Sequence, residues 1–85
     1  MSELPDNIKD QINIAAYFLA KRNHTYDQLC WLLAQRHLIA QKDPNYKQEQ
    51  RIKEKAAEIY FWKTPYDVLC YLIAELDIMI KLGKV

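Results

Sequence analysis

The chain has 85 residues and a formal net charge of +1, from twelve Lys and Arg against eleven Asp and Glu. A balance so near zero excludes a global field that would steer the protein to nucleic acid or an anionic membrane. One glycine and three prolines exclude a turn-rich β fold and a glycine loop for phosphate, while an apolar share of 51% excludes general disorder.

The length bounds the chain at one domain, 1–85, whose modest core favours self-association. The opening stretch MSELPDNIKD has no basic segment followed by an apolar run, so no secretory signal is expected. The longest fully apolar run, residues 68–74, falls far short of the ~20 residues that span a bilayer. A cytoplasmic location with no membrane partner is expected, with Cys30 and Cys70 reduced.

In chain order, a first helix is predicted over about 5–22, opened by Pro5 and carrying Ile8, Ile12, Ala15, Ala16 and Leu19 at helical spacing. A second follows over about 26–41. Thr25 and Gln28 have the spacing of a capping box, and Leu29, Leu32, Leu33 and Ile39 make the helix strongly apolar. A third is predicted over about 45–62, with Asp43 as N-cap and Pro44 at the first helical position; Ile52, Ala56, Ile59 and Tyr60 form its apolar face. The fourth, about 65–82, has Thr64 and Pro65 in the same roles. Its apolar residues, Leu69, Leu72, Ile73, Leu76, Met79 and Ile80 with Val68, Tyr71, Ile78 and Leu82, lie nearly all round it. Such a helix is buried on more than one side, and a dimer or a bound partner is expected to cover the second face.

The segments YDQLCWLLA (26–34) and YDVLCYLIA (66–74) are two versions of one pattern. At an offset of forty, Ile12 matches Ile52, Ala16 matches Ala56, Tyr26 matches Tyr66, Cys30 matches Cys70, and Ala34 matches Ala74. The chain therefore reads as an internal repeat, about 5–41 and about 45–82. Short links within each copy predict antiparallel neighbours. The expected fold is all-α, a four-helix bundle of two repeated antiparallel helical hairpins. A lone hairpin cannot cover its apolar face, so packing explains the duplication.

The stretches IAAYFLAKR and WLLAQ in the first copy, with RIKEKAAEIY and YLIAE in the second, resemble a family of short bacterial helical-hairpin domains with no assigned function. The chain departs from that pattern in lacking a glycine-containing turn and in having Gln35 at the place of an acid. The resemblance implies a fold and no reaction.

Catalytic groups are scarce. Cys30 and Cys70 read as small buried apolar residues. Cys30 and His37 stand seven residues apart, about 10 Å along a helix, too far to share an ion; His24 lies in a turn, so no metal or other cofactor is expected. Asp27 and Asp67 fall in first helical turns and read as capping charges. Glu75 and Asp77 point to different faces, so at least one reaches solvent or a basic partner. An enzyme is not expected, and no small-molecule substrate is evident.

Binding is the stronger reading. Consecutive aromatics diverge by ~100° on a helix and cannot all face one core. Phe61, Trp62 and Tyr66 near the second turn, with Tyr71 and Ile78 on the fourth helix, are the expected surface for a protein partner or for a second copy in a homodimer. The alternative is a weak nucleic-acid module in which Lys47, Arg51 and Lys55 form a stripe at i, i+4, i+8 and Trp62 stacks on a base. Neighbouring acids at Glu49, Glu54 and Glu58 oppose that alternative.

Overall fold

The computed structural model describes residues 5–83. Among them the chain forms four helices and no strand: α1 (Asp6–Lys21), α2 (Tyr26–Ala40), α3 (Glu49–Trp62) and α4 (Tyr66–Lys81). None of the described helices is long and apolar enough to cross a membrane.

The helix starts follow local chemistry. Thr25 caps α2 with the full reciprocal box: the Gln28 backbone N–H donates to Thr25 Oγ1 at 3.1 Å, and the Thr25 N–H donates to Gln28 Oε1 at 2.8 Å. Pro5 and Pro65 are the residues just before their helices, one place earlier than the first-turn position expected of them. Their carbonyls accept the first helical N–H bonds, from Ile8 and Lys9 on Pro5 and from Leu69 on Pro65, each at 3.0 Å. Thr64 therefore does not cap α4.

The third helix starts at Glu49, four residues later than the predicted start at about 45. Asp43 is occupied by the link instead. Its Oδ1 accepts the Asn45 N–H at 2.8 Å, its Oδ2 accepts from Arg51 at 3.1 Å, and its carbonyl takes the Tyr46 N–H at 3.2 Å. These turn bonds engage the groups that would otherwise have opened a helix there.

The packing overturns one expectation. Helices joined by the short turns do not pack on each other. Instead α1 packs on α4, α3 packs on α2, and α2 packs on α4. The neighbour order is α1, α4, α2, α3, so two inner helices each have two neighbours and two outer helices each have one. Under the offset of forty, the α1–α4 contact becomes the α3–α2 contact. Each copy thus lays its first helix on the second helix of the other copy.

Reciprocal hydrogen bonds mark the same exchange. The Tyr26 hydroxyl donates to the Thr64 carbonyl at 2.6 Å, and the Tyr66 hydroxyl donates to the His24 carbonyl at 2.5 Å. Residues 24 and 64 are equivalent under the offset, as are the two tyrosines. Each turn is therefore held by the other copy's tyrosine. Tyr26→Phe and Tyr66→Phe are each expected to lower the urea midpoint with the slope unchanged, because each strands a carbonyl that is otherwise satisfied.

The arrangement also explains the apolar girth of α4. Leu69, Cys70 and Ile73 join the main core with Leu29, Cys30, Leu33, Leu38, Ile52 and Ile59. Ala74 and Ile78 pack with fully buried Ile12 of α1, and Tyr71 lies against that cluster. At this face α1 covers Ile78, which is buried and so is not the exposed surface residue expected, while Tyr71 is half-buried beside it. Burying one such side chain contributes about 1.5–3 kcal/mol, so a charge at Ile78 attacks the fold itself.

Left-handed residues follow each helix: Asn23, Lys42, Lys63 and Gly83, with φ of 57°, 59°, 56° and 69°. Lysine carries a Cβ penalty there that glycine avoids. Lys63→Gly is expected to raise unfolding stability by about 1 kcal/mol, read from urea denaturation.

Candidate functional site

The outer helices have one neighbour each, and the large exposed apolar side chains concentrate on them. On α1 these are Ile14, Tyr17 and Phe18; on α3 they are Tyr60, Phe61 and Trp62. Phe61 is the most open of all, at 76% exposure.

Between α2 and α3 runs an apolar groove of about 290 Å³. From α3 it receives Ala56 and Ala57 as a low floor, with Tyr60 and Phe61 as a raised wall. From α2 it receives Cys30 and Trp31. Asp27 and Lys53 add the charges. Helical spacing makes the α3 set: Lys53, Ala56, Ala57, Tyr60 and Phe61 fall at i, i+3, i+4, i+7 and i+8, one continuous stripe. The Tyr60 ring meets Phe61 edge-on at 6.1 Å and Tyr26 at 5.7 Å. Those contacts brace the wall from within α3 and from α2.

The residues expected to bind a partner divide. Phe61 and Trp62 are exposed, and Trp62 meets the His37 ring edge-on at 6.2 Å. Tyr66 is half-buried with its hydroxyl committed to the His24 carbonyl. Tyr71 and Ile78 belong to the cluster under α1. The groove's floor and far wall, Ala57 and Trp31, were not among the expected partner residues. The signal that could have found them is the repeat itself, since Ala57 stands where the first copy has Tyr17.

The three cations of the nucleic-acid alternative do not form a free basic face. Lys55 is buried, with its ammonium 3.4 Å from Glu58 Oε1. Arg51 contacts Asp43 at 3.1 Å and Glu54 at 3.7 Å. Lys47 is exposed and lies 5.6 Å from the centre of its neighbour Tyr46. Of Glu75 and Asp77 on α4, Asp77 finds a basic partner, accepting from Arg36 Nε of α2 at 2.8 Å.

Burial pushes the Cys30 and Cys70 thiols up, with Asp27 and Asp67 adding to the effect. Among the described residues no three His, Cys, Asp or Glu side chains gather to hold a metal ion.

His37 is the one group under tension. Its Nδ1 is buried with no hydrogen-bond partner among the described residues. Burial first, then the nearby Lys55 charge, hold its pKa below the ordinary value, against smaller opposing effects of Gln41 and Glu58. The unfolded chain therefore takes up this proton before the folded one as pH falls. The stability associated with neutral His37 is complete above about pH 6.5 and declines below it. Urea denaturation at about pH 7.5 and about pH 5.5 is expected to show that decline, and His37→Gln is expected to flatten it.

No family model matches the chain, and neither does any curated protein or solved structure.

Proposed function

We propose that the chain is a small non-catalytic protein-interaction module, an adaptor, regulator or inhibitor built from two copies of a helix–turn–helix unit. The observation that carries this reading is the α2/α3 groove, whose raised edge is a phenylalanine 76% exposed beside two further exposed aromatics. An aromatic wall over a small-residue floor is the form in which helical partners are commonly anchored. The groove's lining offers few polar groups to orient a small substrate, and the Cys30 and Cys70 thiols are buried with their pKa raised.

The expected partner is a protein, including a second copy of this chain. Nucleic acid is the weaker reading, because Lys55 is buried and two of the three cations stand beside carboxylates. Phe61→Ser is expected to abolish capture of the partner in affinity purification while far-UV circular dichroism stays unchanged, since so open a ring contributes little to the core. Undiminished capture by a folded Phe61→Ser chain refutes the proposal.

A further inference from the structure

We infer that the occupant of the α2/α3 groove is α1 of a second copy of this chain. This rests on the interaction reading above and names the partner.

The first observation is the place where the two copies of the unit differ. Under the offset of forty, the floor residue Ala57 corresponds to Tyr17, while the wall residues Tyr60 and Phe61 correspond to Ala20 and Lys21. The second copy has thus lowered its floor by an aromatic ring and raised its edge by two. The result is a concave apolar seat whose floor residue, Ala57, stands where the first copy has the larger Tyr17. A seat one aromatic side chain short fits a partner that brings such a side chain.

The second observation is a stripe of matching chemistry. Ile14, Tyr17 and Phe18 are 56%, 57% and 59% exposed on the open side of α1. Their spacing of three and four residues puts them on one face. The Tyr17 and Phe18 rings meet edge-on at 5.6 Å, so the stripe is braced before anything docks. Among the described helices α1 packs on α4 alone, which leaves this face uncovered.

The third observation is charge. The stripe is bounded by exposed Asp10 at one end and exposed Lys21 at the other. The groove carries Lys53 at one end of its α3 stripe and Asp27 beside Tyr60 at the other. Asp10 and Lys21 lie about 16 Å apart along α1, and Lys53 and Phe61 lie about 12 Å apart along α3. Long side chains bridge that difference. Only one direction of docking sets Asp10 against Lys53 and Lys21 against Asp27; the reverse direction opposes like charges at both ends. Lys53 contacts Glu49 at 3.6 Å in an exposed pair weak enough to exchange.

The contact joins two different surfaces, a stripe on one molecule and a groove on the next. It is heterologous, so copies either close into a ring or continue to add.

Sedimentation velocity with reductant present is the test, over a range of protein concentrations. The wild-type chain is expected to sediment above its 10.1 kDa monomer as concentration rises. Ala57→Tyr fills the seat with the residue of the first copy, and Phe18→Ser removes the incoming ring. Each is expected to weaken association at least about tenfold. Both positions are exposed, so unchanged circular dichroism and urea midpoints show that the fold is intact. A mixture of the two variants joins the intact stripe of one to the intact groove of the other, and is expected to restore a dimer. Asp10→Lys and Lys53→Asp each weaken association, and the double variant recovers it. A wild-type chain that stays monomeric at every concentration overturns the inference, as does association that persists in both Ala57→Tyr and Phe18→Ser. If either result accompanies loss of capture by Phe61→Ser, the interaction module stands and its partner is a different protein.

Discussion

Everything else in this fold depends on the crossing of α2 with α4. These two helices carry the segments repeated in the sequence, and their Leu29, Cys30, Leu33 and Leu69, Cys70, Ile73 side chains form the centre of the core. Tyr26 and Tyr66 complete the crossing, each donating across to the carbonyl that leads into the other copy's helix. The two bonds hold the turns in which the outer helices end and the inner helices begin. From there α1 has one inner helix to lie on, α4, and α3 has the other, α2.

The neighbour order has an energetic consequence. Two inner helices bury apolar groups on two sides, which accounts for buried Leu38 and Ile78 near their C-terminal ends. Two outer helices bury one side each, and their remaining apolar residues face outward. A closed bundle gives every helix two neighbours. The open order leaves Ile14, Tyr17 and Phe18 on one flank and Tyr60, Phe61 and Trp62 on the other. Candidate binding surfaces therefore arise on the flanks, while the centre is committed to folding.

The two similar halves of the sequence agree at some positions and part at others. Core positions agree between the copies, because both inner helices meet the same environment across the crossing. Outer positions are released from that constraint. There Tyr17 is matched by Ala57, and Lys21 by Phe61.

Much of this was legible in one dimension. The number of helices and the start of α2 at Thr25 follow from spacing and residue type, which act over three or four residues. The delayed start of α3 was not legible, because Asp43 bonds both to its own turn and to Arg51 a helical turn further on. The likeness of residues 26–34 to 66–74 does not say which helix lies on which. A short link permits its two helices to pack together and equally permits each to reach across, and the choice is made by burial summed over both copies. Of the candidate site, Phe61 and Trp62 could be named from consecutive aromatics alone. Tyr71 and Ile78 could not be excluded until α1 was known to cover them, and Ala57 and Trp31 acquired meaning only when α3 lay beside α2. Local propensity, capping and repetition were thus determined by the chain's own order of residues; partner choice between helices, and with it the groove, was decided in three dimensions, where distant residues share one apolar surface.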